Sequence, residues 1–275
     1  MTAQPHLIVT RPQPQADAWV ARLQALGLAA GALPLLGIDA PADAAPVHAA
    51  WQAIVRGQDA AGRPLAVVMF VSPSAVQRFF AQRPVGLAWP ADVLAAAPGQ
   101  GTRDALAQAG VPALALCSPP AEGGRFDSEA LWAVLQARCH WPGHAALVVR
   151  GEDGRNWLAE ALRQQGAAVH FVEAYRRTAP VPTTAQQALL AQALARPAAF
   201  CWLFSSSEAV GQLPTLAPGA DWSAAQALAT HPRIAAAAQA LGMPPVPVIE
   251  PMPEAVAAWL GARSAHGPSI QSRRT

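Results

Sequence analysis

A repeated pattern is the feature of this sequence that most limits its fold: an apolar run, a serine cluster and then Ala-Val. The pattern reads FVSPSAV at residues 70–76 and FSSSEAV at residues 204–210. The apolar residues AVVM and CWL precede the two copies, so each reads as a buried strand whose serine turn opens a helix. Ligands of open α/β sheets bind at strand ends of this kind. The pattern therefore predicts an α/β fold with two candidate binding edges.

Further pairs of segments repeat in the same order along the chain. They are GQGTRDALAQAG (99–110) with HPRIAAAAQALG (231–242), SEALWAVL (from 128) with PEAVAAWL (from 253), and LIVTRPQPQADAWVARLQALG (7–27) with LVVRGEDGRNWLAEALRQQG (147–166). When the last pair is aligned, Arg11 falls on Arg150. The ordered matches predict two homologous halves, roughly 7–135 and 147–260, each with alternating strands and helices that form parallel sheets.

Local patterns also predict individual elements in the second half. Strands are expected near residues 200–204 and 246–249, and helices near 206–213 and 253–261. The boundaries of such predictions carry an error of about 2–4 residues.

Composition excludes several kinds of mechanism. All 19 basic residues are arginine, which excludes attachment of pyridoxal phosphate, Schiff-base chemistry and the phosphate-binding lysine of a P-loop. The formal charge is +2, and the last thirteen residues hold three of the arginines and no acid. The rest of the chain is near neutral, whereas nucleic-acid-binding domains normally carry a strongly basic face. We therefore expect no nucleic-acid partner.

Cysteine usage and hydropathy limit the compartment. The three cysteines are an odd number without a C-x-x-C pair, so neither a disulfide framework nor a zinc knuckle is indicated. The first residues, MTAQPHLIVT, lack the charged and apolar regions of a signal peptide. No apolar run approaches the ~18 residues of a membrane-spanning helix. The sequence predicts a cytoplasmic protein without a membrane partner.

The ordered segments together resemble uroporphyrinogen-III synthase of the bacterial type. The resemblance also rests on RFDSEAL from residue 125 and on VVRGEDGRNWLAEALRQQGAAVHFVEAYRRTAP, whose YRR lies at 175–177. It covers about residues 6–261. It implies an α/β fold of two flavodoxin-like parallel-sheet domains joined by a two-stranded ladder, built from a duplicated half with exchanged leading βα units. The active site is then expected in the cleft between the domains.

The resemblance also implies domain boundaries. They are 1–37 with 178–262 for the first, discontinuous domain, 45–170 for the second domain, and 33–41 with 170–178 for the ladder. Residues 263–275 are expected to be a disordered tail.

The reaction implied by the resemblance closes the linear tetrapyrrole hydroxymethylbilane to uroporphyrinogen III. Water is lost and the last pyrrole ring is inverted through a spiro intermediate. The family needs no cofactor or metal and is usually monomeric. Because hydroxymethylbilane cyclises spontaneously to the wrong isomer, the resemblance also suggests a transient contact with the preceding deaminase.

Serine turns are the first group of candidate binding residues, because the substrate is a polycarboxylate and helix N-termini offer free N–H groups to anions. The candidates are Ser72 and Ser74 in one half and Ser205, Ser206 and Ser207 in the other. The alternative interpretation is that these serines only cap helices.

Residues that follow the leading strands form the second group. Thr10 and Arg11 end the first strand, and Arg150 is the equivalent arginine in the second half; a guanidinium binds a carboxylate through two parallel hydrogen bonds. The alternative is a surface arginine paired with a nearby acid. The turn RGEDGR adds Gly151, Gly154 and Arg155, where glycines allow close approach of the backbone to an anion. Its own two acids would repel a polycarboxylate.

Tyr175 is the only tyrosine in the chain, and it is the candidate catalytic residue. The resemblance places it near the cleft, where a phenol beside arginines can donate a hydrogen bond to the departing hydroxyl group. Arg176 is a candidate substrate contact beside it. The alternative is packing at the domain junction.

The resemblance places two further turns, GQGT and HPRI, at the cleft. They contribute Thr102, His231 and Arg233 as candidate substrate contacts, although Ile234 stands where the repeat would match Thr102. A metal site is not predicted, since a proline and a glycine interrupt the histidine pair at 140 and 144.

Three other functions compete with the synthase. The first is a non-catalytic two-lobed α/β protein that binds a small anionic ligand. The second is a flavin-binding module with phosphate at the strand-end serines, and the third is an inactive family member with a structural role.

Overall fold

The computed structural model describes residues 4–120, 128–152 and 157–265. The chain divides into two compact units, Met1–Gly37 with Thr178–Thr275 (unit 1) and Ile38–Arg177 (unit 2). Each buried hydrophobic cluster consists of residues from one unit only. Within the described ranges, no helix combines the length and apolarity that crossing a bilayer requires.

The strands are β1 (His6–Val9), β2 (Ala30–Ala32), β3 (Gly37–Asp39), β4 (Leu65–Phe70), β5 (Leu94–Ala96), β6 (Leu116–Cys117), β7 (Ala145–Gly151), β8 (Ala168–Thr178), β9 (Phe200–Phe204) and β10 (Gln226–Ala229). The helices are α1 (Gln15–Ala25), α2 (Ala45–Arg56), α3 (Pro73–Phe80), α4 (Gln100–Gln108), α5 (Ser128–Arg138), α6 (Trp157–Gln164), α7 (Thr184–Ala195), α8 (Ser207–Val210), α9 (Leu213–Leu216), α10 (Pro232–Ala240) and α11 (Pro253–Ala265). Short 3-10 turns precede β6 and β9.

Unit 1 contains a four-stranded sheet in the order β10-β9-β1-β2, in which all neighbours are parallel. Successive side chains of a strand point to opposite faces, and β1 shows this clearly. Leu7 and Val9 pack into one apolar cluster, and Ile8 packs into the other. All three are fully buried. Burial on both faces explains why these strands read as continuous apolar runs.

Unit 2 contains a six-stranded sheet in the order β3-β8-β7-β4-β5-β6. The run from β8 to β6 is parallel. Alternation again divides the strand residues: Val68 and Phe70 of β4 pack on one face, and Val67 and Met69 pack on the other. Trp51 stacks on Phe79 in the first of these clusters, with ring centroids 4.7 Å apart.

The pairing of strands crosses between the two halves of the sequence. β1 from the first half lies beside β9 from the second, and β7 from the second half lies beside β4 from the first. Because these pairs and the others given above are parallel, the prediction of an α/β fold with parallel sheets is confirmed.

Two predicted elements are wrong in detail. The helix expected at 206–213 is divided into α8 and α9 by Gly211 and Gln212, and Pro214 cannot donate an amide hydrogen bond back to the preceding turn. The strand expected at 246–249 is reduced to one bridge between Ala229 and Val248. The reason is composition, since the segment MPPVPV contains three prolines, which lack the N–H group that a sheet ladder needs.

Candidate active site

Ser72 begins the helix that follows β4. Its backbone is extended, and its Oγ accepts the N–H of Ala75 at 3.2 Å, which satisfies one of the free amides of the first turn. Pro73 occupies the next position, where a missing N–H costs nothing. The interpretation of this serine as a helix cap is confirmed, but Ser72 has a second partner. Its Oγ lies 3.3 Å from the hydroxyl of Tyr175.

Tyr175 is held on β8 with only 2% of its surface exposed, inside the apolar cluster that includes Phe70 and Phe79. The pairing of β7 with β8 shifts register after Arg150, so that Gly151 lies opposite Tyr175. A side-chain carbon on Gly151 would lie 2.8 Å from the tyrosine ring. The missing side chain of Gly151 therefore makes room for the ring, which is a different use from the anion approach that we predicted.

Arg177, a residue we did not predict, is the arginine that reaches Tyr175. Its guanidinium donates a hydrogen bond to the phenol oxygen at 3.4 Å and lies 5.6 Å from the ring centroid. The predicted Arg176 instead pairs with Asp39 at 3.9 Å, and both side chains are about half exposed, at 48% and 52%. Alternation along β8 explains the difference, because residues two apart share a face. The period-2 pattern of AYRRT was a signal that could have identified Arg177, but the sequence analysis did not use it.

Ser74 and Thr102 are buried, with 5% and 4% of their surfaces exposed. Ser74 lies in the first turn of α3, and Thr102 lies in the first turn of α4 behind Gly99, the N-cap residue. Both lie near helix starts as predicted, but little of either side chain is accessible.

Arg150, at the end of β7, places its guanidinium 4.2 Å from the centroid of the Phe171 ring. It also donates to the backbone oxygen of Glu152 at 3.4 Å. Gly154 and Arg155, which were predicted to extend this turn, lie outside the described residues.

In unit 1, Arg11 has an unusual environment. Its guanidinium lies 4.2 Å from the centroid of the Trp19 ring, and among the described residues it has no hydrogen-bond or ion-pair partner. Removal from water lowers the pKa of Arg11 to about 10. The side chain therefore stays charged at neutral pH, although the charge is poorly solvated.

A small cavity lies beside Arg11 at the carboxyl ends of β1, β9 and β10. Its volume is about 10 Å³, which is room for roughly one water molecule. Its lining includes Arg11, Trp19, Ser205 and Thr230. Trp19 and Thr230 were not predicted. Thr230 directly follows an apolar run, which is a usable signal, whereas the place of Trp19 depends on how α1 packs.

The other predicted residues of unit 1 serve local structure. Thr10 is 1% exposed and donates to the backbone oxygen of Leu203 at 2.6 Å, which ties β1 to β9. Ser206 caps α8 by accepting the N–H of Ala209 at 3.3 Å, and the exposed Ser207 is the first residue of that helix.

His231 caps α10 in the same way. Its Nδ1 accepts the N–H of Arg233 at 3.1 Å, and both residues are exposed. A histidine in this role keeps Nε2 available as a donor when the ring is neutral. Over the whole described part of the chain, no three His, Cys, Asp or Glu side chains are grouped as a metal site would require.

The fold and these residues define a parallel α/β protein of two compact units, in which each sheet carries a serine-capped helix start and an arginine at its carboxyl edge. A model of the family described as uroporphyrinogen-III synthase HemD matches residues 17–257. A uroporphyrinogen-III synthase from Salmonella typhimurium is 33% identical over 184 residues, which cover 66% of this chain and 69% of that protein. The chain belongs to the uroporphyrinogen-III synthase family, and the family predicted from the ordered segments is confirmed.

Two solved structures show the same fold. A mutant uroporphyrinogen III synthase from the extremely thermophilic bacterium Thermus thermophilus has a TM-score of 0.54 at 19% identity, over 94% of this chain and 98% of that one. A uroporphyrinogen-III synthetase from Helicobacter pylori has a TM-score of 0.52 at 13% identity, over 95% and 99% of the two chains.

Proposed function

We propose that this chain converts hydroxymethylbilane to uroporphyrinogen III, with inversion of the last pyrrole ring and loss of water, in tetrapyrrole (heme) biosynthesis. The observation that carries this proposal is the family match, which extends over residues 17–257. The curated relative at 33% identity bears the same enzyme name.

The chemistry makes two demands on the protein. Loss of the substrate hydroxyl leaves an electrophilic azafulvene, so a hydrogen-bond donor must assist its departure. The protein must also hold the flexible chain so that the unfavoured ring carbon attacks. We propose that Tyr175 takes part in the first step, since its hydroxyl lies beside Ser72 at the start of α3. The positive end of that helix favours the negative charge that develops on the departing oxygen.

We propose that Arg11 binds a carboxylate of the substrate. A charged guanidinium that is largely removed from water gains more from an anion than a solvated one. The ring of Trp19 supports the guanidinium of Arg11, and Ser205 lines the adjacent cavity. Arg150 is proposed for the same role in unit 2, where Phe171 supports its guanidinium.

The remaining predicted contacts stay proposals. They are Thr10, Ser72, Ser74, Thr102, Gly151, Gly154, Arg155, Arg176, Ser206, Ser207, His231 and Arg233. Ser72, Ser206 and His231 each cap a helix that follows a parallel strand, so a contact with substrate would come in addition to their capping role.

We further propose that the two units are flavodoxin-like domains derived from a duplicated half. The supporting observation is strand order: β2-β1-β9-β10 in unit 1 has the same pattern as β8-β7-β4-β5 in unit 2. In each unit the leading pair of strands comes from the other half of the sequence, as an exchange of leading βα units requires. β3 and β8, which are neighbours in one sheet, are the strands proposed for the connecting ladder.

A coupled assay tests the proposed activity. Hydroxymethylbilane is generated enzymatically, the protein is added, and the oxidised uroporphyrin I and III isomers are separated by chromatography. We expect a shift from isomer I to isomer III that grows with protein concentration. Persistence of isomer I with folded protein in excess would reject the synthase and favour the non-catalytic binding protein.

The predictions of a monomer and of a transient contact with the preceding deaminase rest on the family resemblance, and the prediction of a cytoplasmic location rests on cysteine usage and hydropathy. Sedimentation of the protein with and without the deaminase tests the predicted monomer and the predicted contact.

A further inference from the structure

Three polar side chains of unit 2 form a continuous hydrogen-bonded chain. The guanidinium of Arg177 donates to the hydroxyl of Tyr175 at 3.4 Å, and that hydroxyl lies 3.3 Å from the Oγ of Ser72. Tyr175 is 2% exposed, whereas Ser72 is only partly buried. Tyr175, the middle residue of the three, is therefore the least accessible.

The available donors and acceptors determine which group donates in each of these hydrogen bonds. A guanidinium has no acceptor, so Arg177 cannot receive the phenol proton. The only acceptor that the described residues offer to Tyr175 is the Oγ of Ser72. A buried hydroxyl rarely leaves its proton without a partner. Tyr175 therefore donates to Ser72.

The same reasoning applies to Ser72. Its oxygen accepts from Tyr175 and from the N–H of Ala75 at 3.2 Å. A hydroxyl oxygen has two lone pairs, and both are then occupied. Within the described part of the chain, Ser72 has no acceptor for its own proton. Its remaining hydrogen-bonding capacity is a donor.

We propose that Ser72 is the residue that donates a hydrogen bond to the departing hydroxyl of the substrate, and that Tyr175 and Arg177 are positioning residues that act through it. This inference rests on the proposed function. It explains how a phenol with 2% exposure affects the reaction without touching the substrate. It also assigns a role to Arg177, which donates to the Tyr175 hydroxyl and so fixes the direction of the hydrogen bond from Tyr175 to Ser72.

A double-mutant cycle of Ser72→Ala and Tyr175→Phe tests whether Tyr175 acts through Ser72. We expect kcat to fall about 100-fold in Ser72→Ala, the usual effect of removing one placed donor, and about tenfold in Tyr175→Phe, the size of one lost neutral hydrogen bond. The double variant is expected to equal Ser72→Ala, because Tyr175 has no route to the substrate once Ser72 is absent. Effects that multiply would overturn the proposal, since Tyr175 would then act by itself.

Arg177 is tested by replacement and rescue. Arg177→Met is expected to lower kcat with little change in KM, and Arg177→Lys is expected to restore part of the loss because it keeps a donor. Equal kcat values in wild type and Arg177→Met would contradict the positioning role. Thr183→Ala is the matched control, because Thr183 caps α7 by accepting the N–H of Gln186 at 3.3 Å and is not hydrogen-bonded to Ser72, Tyr175 or Arg177. It is expected to keep wild-type kcat.

A spectroscopic arm separates this inference from the proposed function. Tyr175 is the only tyrosine, so protein labelled with carbon-13 in the tyrosine ring gives one phenol signal by NMR. That signal is expected to move in Ser72→Ala and in Arg177→Met, with no substrate present. An unmoved signal would reject the hydrogen-bonded chain whatever the activity. Moved signals in a protein that makes no isomer III would reject the synthase and the substrate role of Ser72 together.

Discussion

A single missing side chain at Gly151 decides whether the Tyr175 ring fits on β8. A side-chain carbon there would lie 2.8 Å from the ring, which is closer than packed atoms tolerate. We expect Gly151→Ala to lower the free energy of unfolding by about 1–3 kcal/mol and to displace the ring. Urea unfolding and the NMR signal of the single tyrosine measure the two effects.

Gly261→Ala is the matched control for that change. Gly261 lies in α11, and no atom lies within 4 Å of an added side-chain carbon. Alanine is the better helix former by about 1 kcal/mol, so this variant is expected to be neutral or slightly more stable. If both variants behaved alike, the contact between Gly151 and Tyr175 would not be the cause.

At the scale of elements, Asp59 joins the turn after α2 to β8. One carboxylate oxygen accepts the N–H groups of Ala61 and Arg63, both at 2.9 Å. The other accepts from the side chains of Arg63 and His170, both at 3.0 Å. Burial raises the pKa of this carboxyl, but the hydrogen bonds outweigh burial and lower it from 3.8 to about 2.

The lowered pKa gives a signed prediction for stability against pH. Because the pKa of Asp59 is lower in the folded chain than in the unfolded one, its stabilisation is complete above about pH 4 and is lost as the pH falls through about 2. Asp59→Asn is expected to cost about 1.5–3 kcal/mol at neutral pH, the range for a lost hydrogen bond to a charged group, because the amide nitrogen of an asparagine cannot accept from Arg63 and His170. Urea unfolding at neutral and acidic pH measures both effects.

The control for Asp59 is Asp221→Asn. Asp221 is exposed and accepts the N–H of Ser223 in a local turn, which an asparagine also accepts. Its replacement is expected to change the free energy of unfolding by less than about 0.5 kcal/mol. An equal loss in both variants would show that the buried carboxylate of Asp59 contributes no more to stability than an exposed one.

At the scale of the whole molecule, the two units differ in how they are assembled from the chain. Unit 2 is one continuous segment whose sheet is covered on both faces by its own residues. Unit 1 needs the N-terminal residues, since β1 lies between β2 and β9 and contributes three fully buried side chains.

This difference predicts the behaviour of fragments. Residues 38–177 expressed as a separate chain are expected to unfold cooperatively, whereas residues 178–265 without the N-terminal segment are expected to lack cooperative unfolding. Circular dichroism during urea titration measures this. Cooperative unfolding of the 178–265 fragment would contradict the role assigned to β1.

Local signals in the sequence determined much of this protein. The alternation of apolar runs and helices predicted parallel sheets, and the serine clusters predicted the caps at Ser72 and Ser206, because capping depends on residues only three positions apart. The proline-rich segment near residue 248 was read wrongly as a strand, although the missing N–H groups of its prolines were visible in the sequence.

Only the tertiary structure decided the contacts between distant residues. Ser72 and Tyr175 are 103 positions apart, and Asp59 and His170 are 111 apart. No local preference links such pairs, since they meet only through the register of β4, β7 and β8. The shift after Arg150 sets Gly151 against Tyr175, and strand alternation selects Arg177 over Arg176. The sequence therefore determined the kinds of residues at the strand ends, and the packing of the sheet determined which of them meet, because side-chain contacts follow strand register and not distance along the chain.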